Sequence, residues 1–491
     1  MSVDAVIVLA AGAGTRMKSA APKVLHEVLG SSIISHVLSA VAPVAPSQGA
    51  TTVVVVGHGR ELVTDHIGTL VPDASIVVQE QQNGTGHAVR LAMSALDAGS
   101  VDSVLVLAGD TPLLTSRTLR EFVDAHNNCG AAVSVLSAML PDPHGYGRIV
   151  RDVLGDVTAI VEQKDADEAI SMINEINSGV YVFDSSVLRQ HLSALTTDNA
   201  QGEEYLTDVV AAAVSAGQKV IAHVAPDHQE IWGINDRAQL ASAAAVMRDR
   251  INHAHMAAGV TIVDPASTWI APEVAIAADV VIEPGCQLLG ATSIAAGAVI
   301  GPHTTLVDTE VGEAAHVRRT EATLAVIGPR ADVGPFTYLR PGTQLAADTK
   351  AGAYVEIKAA QIGEGSKVPH LSYVGDATIG RDTNIGAATV FVNYDGVEKS
   401  RTIIGDSVRI GSDTMLVAPV EVGDGAYTAA GSVIIDNVPP GAMGVARARQ
   451  RNVLDWVLRR RPGTSSAAAA QRAQQNGTAP QTNDTSVEAQ G

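Results

Sequence analysis

From Gly259 onward an aliphatic residue returns every six positions. Ile282, Leu288, Ile294, Ile300 and Leu306 keep one register; Ile327, Val333, Leu339 and Leu345 keep another; Ile404, Ile410, Leu416 and Val422 a third. A period of six suits neither an α-helix nor the two-residue alternation of a hairpin strand. It suits a hexapeptide β-helix, in which each hexad forms one side of a triangular coil. The aliphatic residue points inward, and a small residue such as Ala298, Thr304 or Thr383 leaves room at the corner. With three hexads to a coil, residues 263–437 give roughly ten coils. At about 4.8 Å per coil the prism is some 45–50 Å long. A narrow interior of this kind accepts Ile, Val, Leu and Ala, which accounts for an aromatic content of only 3%.

Regular hexads are scaffold, so departures from them are the candidates for chemistry. Phe336-Thr-Tyr-Leu-Arg340 places an arginine directly after an inward leucine, and Val355-Glu-Ile-Lys358 adds a lysine. Lys367-Val-Pro-His370-Leu-Ser-Tyr373 breaks the glycine that commonly follows the aliphatic residue, as in Ile300-Gly, and carries His and Tyr three apart. Ile385-Gly-Ala387 runs into a non-hexad stretch, Val390 to Gly396, expected to project from the prism. Arg340 and Lys358 are suited to neutralising a phosphate, and His370 to taking a proton from an amine. A lone histidine is also commonly a solvated surface residue; the nearby Tyr and the two basic residues favour the chemical reading.

The first 235 residues follow another grammar. Short apolar β-branched runs (Asp4–Leu9, Val53–Val56, Ser75–Gln79, Ser103–Ala108, Ala131–Leu136, Gly179–Phe183) alternate with helical patterns (Ile33–Val41, Arg60–Leu70, Thr85–Ala95, Thr115–Ala125), and Val24–Leu29 also carries helical spacing. This is the βαβ rhythm of a mostly parallel sheet, which binds ligands beyond the carboxyl ends of its strands. Several motifs fall there. Leu9-Ala-Ala-Gly12-Ala-Gly14-Thr15-Arg16-Met17, with Pro22-Lys23 beyond, follows the first strand. Backbone N–H groups of such a turn are free to hold phosphate oxygens, and Arg16 and Lys23 add positive charge. The loop is not a dinucleotide fingerprint, because Met17 stands where the third glycine belongs, nor a Walker loop, because Gly-Lys-Ser/Thr is absent. Two glycines alone equally suit any tight strand-to-helix turn.

Gln79 to His87 follows the third strand. Gln79 pairs a donor with an acceptor, as a base edge requires, and Gly84 allows close backbone approach; alternatively Thr85 caps a helix. Ala108-Gly109-Asp110 follows the fourth strand, where a carboxylate suits Mg²⁺ on a triphosphate; alternatively Asp110 caps the next helix. Gly145-Tyr-Gly147, Glu162-Gln163, Asn177-Ser-Gly179 and Gly233-Ile-Asn235 are each weak and pass as turns. Between the halves, residues 238–258 lack Gly and Pro and keep Leu240, Ala244, Met247 and Ile251 on one face. They read as one long helix stopped by Gly259, either joining two domains or closing the first.

Composition excludes some functions. A net charge of −19 argues against a nucleic-acid-binding surface. No apolar run approaches the ~20 residues of a membrane span, and the start lacks the basic region of a signal peptide. Cys129 and Cys286 form no C-x-x-C pair, so they read as small buried hydrophobes in a reducing cytoplasm.

The string L-A-A-G-x-G-T-R-M followed by P-K resembles the signature of sugar-phosphate nucleotidyltransferases. With the later motifs in order, including Asn199 to Asp208, residues of about 3–456 resemble the bacterial bifunctional N-acetylglucosamine-1-phosphate uridylyltransferase/glucosamine-1-phosphate acetyltransferase family. The resemblance implies a Rossmann-like α/β nucleotidyltransferase domain over 1–235, a linker helix over 236–258, and a left-handed parallel β-helix acetyltransferase domain over 259–461. Composition adds a disordered tail over 462–491. Ala108 and Glu204 depart from the family pattern, the first lacking a side-chain donor and the second standing where an aromatic is common. Trp456 is expected to pack on the prism end or to cover part of a cleft.

For the N-terminal site the resemblance implies backbone approach to uridine and phosphate by Leu9, Ala10, Ala11 and Gly12, with Ala108 and Gly109 beside them. Gln79, Gly84 and Thr85 hold uracil, Arg16 and Lys23 balance the triphosphate, and Gly147, Glu162 and Asn177 hold N-acetylglucosamine. Asp110 and Asn235 carry Mg²⁺. For the C-terminal site it implies Arg340, Lys358, Tyr373 and Asn384 for glucosamine 1-phosphate and His370 as general base. Ala387, Asn393, Tyr394, Ser412, Ala430 and Arg447 line the acetyl-CoA cleft. Acetyl-CoA and UTP are co-substrates, transfer is direct, and the expected assembly is a cytoplasmic homotrimer whose product, UDP-N-acetylglucosamine, feeds cell-envelope glycans. Two rivals stay open: a single-activity pyrophosphorylase with a structural β-helix, and a non-enzymatic scaffold with a relic nucleotidyl domain.

Overall fold

The computed structural model describes residues 3–45, 51–97 and 99–477. The first strand, β1 (Ala5–Ala10), is almost wholly buried because helices cover both faces of its sheet. The others are β2 (Thr51–Val56), β3 (Ser75–Val78), β4 (Ser103–Ala108), β5 (Val133–Met139), β6 (Arg148–Arg151), β7 (Val157–Val161), β8 (Glu175–Asp184) and β9 (Val220–Val224). The order is β9-β5-β8-β4-β1-β2-β3, all parallel except β8, which runs against both neighbours. A hairpin of β6 and β7 attaches through β6 to β8. The chain passes from β1 to β2 on one side and returns to β4 on the other. That reversal opens a crevice at the carboxyl ends of β1 and β4, where an open sheet binds its ligands.

The sequence places these elements within a few residues. Helices Ile33–Val41 and Arg60–Leu70 fall as read. Val24–Leu29 does not: it is a short 3₁₀ turn, Lys23–Leu25, followed by the strand Glu27–Val28. Its apolar spacing comes from Val24 and Val28 turning to different clusters rather than from one helical face.

One long helix, Arg237–Ala257, begins with Asp236 accepting from the N–H of Gln239 and ends before Gly259, which takes φ +98°. Ala243 and Met247 pack with Met17, Val28, Leu29, Ile33, Leu113 and Ile234 of the first half, and with Trp269 of the second. At its far end Asn252, fully buried, donates to the carbonyls of Pro265 and Thr268 at 2.9 and 3.0 Å.

The second half is a left-handed parallel β-helix with three sheets of 11, 10 and 9 strands. The first face begins at Thr261–Ile262, the second at Trp269–Ile270 and the third at Ala275–Ile276. Ile282 pairs with Ile300 and Ile300 with Val317, steps of 18 and 17 residues, so the hexad aliphatics stack into one buried column per face. The small corner residues also bond. Thr343 Oγ1 donates to Ile357 O at 2.9 Å and Ser366 Oγ to Gly380 O at 2.6 Å, each reaching the next coil. The glycine after the aliphatic residue has a different cause from a turn glycine. A Cβ on Gly363 would stand 2.5 Å from the carbonyl carbon of Gly380, so the next coil forbids a side chain. The left-handed corners are taken instead by residues such as Asp308, Arg330 and Asp382. Cys286 lies fully buried in this core, where burial pushes its thiol up to about 11.

Beyond the prism the expected disorder is overturned in part. Ser465–Gln475 is a helix, with Thr464 accepting from the N–H of Ala467. Its alanine run has the highest helix propensity available, and the cap supplies a start. The remainder of the tail, from 478, lies outside the described residues. Trp456 is 47% exposed, with Arg461 over its ring at 5.6 Å, rather than packed on the prism.

Candidate active sites

At the crevice the Gly-rich loop, the loop after β3 and the loop after β4 enclose a cavity of about 290 Å³. Leu9, Ala10, Ala11, Gly12, Lys23, Gln79, Gly84, Thr85, Ala108 and Asp110 all line it. Lys23 stands at the floor. Its ammonium donates to Asp110 Oδ2 at 2.5 Å and to Asn235 Oδ1 at 3.2 Å. Two oxygens from distant parts of the chain thus converge on one cation. Both are hard donors, one charged and one neutral, which fits a Mg²⁺ that keeps its remaining positions for phosphate and water. Among the described residues no cluster of three His, Cys, Asp or Glu could hold a metal by itself.

The two helix-cap alternatives fail on geometry. The helix Ser116–Cys129 is capped by Thr115, leaving the Asp110 carboxylate to Lys23. The helix Thr85–Ser94 has no side-chain cap; Thr85 Oγ1 instead accepts from Leu206 N at 3.1 Å. Gly84 is fixed twice, by φ +104° and by Glu204 O, which stands where a Cβ would go. Gln79, buried, spends its amide N–H groups on Gly84 O and His87 Nδ1, both at 3.1 Å. Glu204, the departure noted above, turns away from the cavity into a two-pronged pair with Arg90 at 2.7 Å.

Gly147, Glu162 and Asn177 meet beside the β6–β7 hairpin. Asn177 N donates to Gly147 O at 2.9 Å, and Glu162 Oε2 stands 3.3 Å from the position of a Cβ on Gly147. Burial, then the charges of Asp165 and Asp208, raises the Glu162 carboxyl above the ordinary range; the Thr207 hydroxyl partly opposes this. Asn177 Nδ2 donates to the buried Tyr181 hydroxyl at 2.7 Å. Arg16 is exposed on the turn Thr15–Met17 and makes no hydrogen bond among the described residues. Sequence reasoning missed Gln82 and Glu203 in the cavity lining. It also passed over Tyr146, whose hydroxyl burial and then the Asp110 charge push upward. Only Tyr146 carried a signal, standing between the two glycines of its motif.

On the prism, Arg340, Lys358 and Gly375 stand level on successive strands of the second face. Gly375 offers no side chain, and into that gap come the Tyr373 hydroxyl and Asn393 Nδ2. Each cation has a carboxylate that sequence reasoning missed. Arg340 pairs with Glu356 at 2.7 Å, and Lys358 with Asp376 at 3.8 Å, which also accepts from Asn393 at 2.5 Å. Glu356 and Asp376 lie one coil from their partners, so the 17-residue step was the available signal.

His370 is exposed at the corner between the first and second faces, and its ring makes no hydrogen bond among the described residues. The same edge continues coil by coil. Ala388 N donates to His370 O at 3.2 Å, Asp413 N to Ala387 O at 2.7 Å and Gly431 N to Ser412 O at 2.9 Å. Ala430 is next, and Arg447 Cδ lies 3.8 Å from the position of a Cβ on Gly431. Tyr394 sits on the projecting loop, its hydroxyl donating to Gly396 O at 2.6 Å. Asn384 lies on the first face opposite Lys367 and is not joined to the Arg340 group by any hydrogen bond.

A nucleotidyl transferase family model matches residues 5–238, and a bacterial transferase hexapeptide model of six repeats matches residues 401–436. The chain is 56% identical over 469 residues to the bifunctional protein GlmU of Streptomyces coelicolor, covering 95% of this chain and 96% of that one. It is 56% identical to the GlmU of Thermobifida fusca over 472 residues, 96% of this chain and 97% of that one. It is 54% identical to that of Corynebacterium diphtheriae over 474 residues, again 96% and 97%.

Proposed function

Because this chain belongs to the bifunctional GlmU family, and so is a uridylyltransferase and acetyltransferase, we propose how its residues divide the two reactions. Uridylyl transfer belongs to residues 1–235 and acetyl transfer to 259–461, with 236–258 between them.

In the crevice the substrates are UTP and N-acetylglucosamine 1-phosphate. A sugar-phosphate oxygen forms a bond to the α-phosphorus of UTP while the α–β bond breaks and pyrophosphate leaves. The residues position groups and balance charge; no protein nucleophile is needed. Backbone from Leu9 to Gly12 approaches the nucleotide, Gln79, Gly84 and Thr85 hold the base, Lys23 and Arg16 face the triphosphate, and Gly147, Glu162 and Asn177 hold the sugar. The family's nucleotidyl transfer is divalent-metal dependent, and Mg²⁺ is the ion assigned here, with Asp110 and Asn235 as its protein ligands. When bound it neutralises phosphate charge.

On the prism edge the glucosamine 1-phosphate amine attacks the acetyl-CoA thioester carbonyl, His370 Nδ1 or Nε2 takes the amine proton, and the coenzyme leaves as thiolate. Arg340 and Lys358 hold the phosphate, with Tyr373 and Asn384 beside the sugar. Ala387, Asn393, Tyr394, Ser412, Ala430 and Arg447 line the coenzyme cleft. A homotrimer through the prism is part of this reading; its support is that the edge lies open to solvent along one chain. So is a reducing, cytoplasmic setting, supported by two unpaired cysteines; no helix among the described residues is long and apolar enough to cross a membrane.

The observation that carries this division is the single prism edge on which His370, Ala387, Ser412, Ala430 and Arg447 follow one another. The test is thiol release from acetyl-CoA with glucosamine 1-phosphate. Wild type is expected to release thiol, and folded His370→Ala to lose it. A folded variant that keeps wild-type release overturns the role of His370. Light scattering showing only monomer overturns the shared-edge assembly.

A further inference from the structure

We infer that the linker helix is a working part of the uridylyltransferase site, with Arg237 and Arg250 as its positioning residues. The inference rests on the reading of Lys23, Asp110 and Asn235 just given. Three loops meet at that cavity, and each is tied to this helix by a bond of its own. Arg237 Nε donates to Met17 O at 3.2 Å, at the end of the Gly-rich loop. Arg250 Nη1 donates to Leu113 O at 2.6 Å, in the loop that carries Asp110. Gln239 Oε1 accepts from Asn235 N at 2.7 Å, immediately before the helix.

Loops beyond strand ends are the least constrained backbone of an α/β domain, since no ladder fixes them. Here a side chain from one rigid rod reaches each. The apolar contacts repeat the pattern, because Met17, Leu113 and Ile234 share one cluster with Ala243 and Met247 of the helix. Arg250 is itself held, its Nη2 donating to Asp227 at 2.7 Å, so the guanidinium spans a fixed carboxylate and a loop carbonyl. The rod is anchored at its other end. Arg248 donates to Ala266 O at 2.8 Å and lies over the Trp269 ring at 5.0 Å, while Asn252 holds Pro265 and Thr268. A shift of the helix would therefore move Met17, Leu113 and Asn235 together, and the oxygens that converge on Lys23 with them.

The test uses the full chain with Arg237→Ala and Arg250→Ala, and the conservative Arg237→Lys and Arg250→Lys should either alanine variant fail to fold. Three quantities are read: KM for UTP against kcat, Mn²⁺ occupancy titrated by electron paramagnetic resonance in the presence of UTP, and thiol release at the prism edge. Removing a partner that orients ligand-bearing groups is expected to raise KM for UTP, or the Mn²⁺ concentration for half occupancy, by about tenfold. Thiol release stays within about twofold of wild type, and Arg237→Lys, which keeps one donor, recovers part of the loss. Folded variants that melt lower yet keep wild-type UTP and Mn²⁺ titrations overturn the inference, leaving the arginines purely structural. Asp110→Asn separates the two levels. If it leaves Mn²⁺ occupancy unchanged, the metal pair is misassigned, and the effect of Arg237→Ala on KM for UTP still decides the role of the helix.

Discussion

The two halves of this chain bring chemistry together by opposite means. In the first half, Gly12, Lys23, Gln79, Asp110, Glu162 and Asn235 come from loops scattered over more than 200 positions, gathered because a parallel sheet ends its strands on one side. In the second half, Arg340, Lys358 and Gly375 are about one coil apart in sequence and level in space. The first site depends on many long-range placements agreeing at once. The second depends on one short-range rule repeated, in which each coil contacts only its neighbours. The lesson is that damage should spread differently in the two.

The largest expected effect tests that difference in stability. Phe391 is fully buried in the prism column, and Phe391→Ala removes about 3–5 kcal/mol of local packing. Calorimetry should show the prism transition falling while the transition of the first half stays in place. Transitions that fall together would break the comparison.

Next is Lys23→Ala, which removes the cation on which Asp110 and Asn235 converge. Pyrophosphate release should drop by about a hundredfold or more, with thiol release from acetyl-CoA unchanged. A smaller site-specific change comes at Gly375. A Cβ there runs into the Tyr373 hydroxyl and Asn393 Nδ2, overpacking that costs about 1–3 kcal/mol. Gly375→Ala should slow acetyl transfer about tenfold and leave pyrophosphate release alone; steady-state assays of both reactions decide it.

The smallest effect concerns Glu162. Its folded carboxyl titrates above the ordinary range because burial disfavours the charge. Its ionisation therefore opposes folding once pH rises through that folded value, and contributes nothing when both states are protonated. Glu162→Gln should raise the Tm at neutral pH, the gain shrinking to nothing as pH falls below the ordinary glutamate range. Its KM for N-acetylglucosamine 1-phosphate should rise. An equal gain at every pH would put the cause elsewhere.

The same contrast governs what could be read from residues alone. The prism was legible in detail, since one period specifies side-chain direction, coil count and corner chemistry. Its partners across coils were not, because Glu356 and Asp376 look like solvated charges until the step between coils is known. In the first half the strands and their terminal loops were legible from apolar runs and glycines. The cavity was not: Gln82, Glu203 and Tyr146 enter it only through folding, and Val24–Leu29 imitates a helix while serving two clusters. The alanine-rich helix at Ser465–Gln475 was hidden by composition, which describes a segment's polarity but not the start supplied by Thr464.

The projecting loop gives the prism a further property. Ile385 pairs with Ile410 across a gap of 25 residues, yet the two stand one coil apart, as do neighbours 17 or 18 apart elsewhere. Residues 393–400 leave sideways and return without lengthening the column. Height along the axis therefore counts turns of the chain, not residues. Such a scaffold behaves as a ruler with side outlets: a segment can be added at a corner without shifting the spacing of anything above or below it.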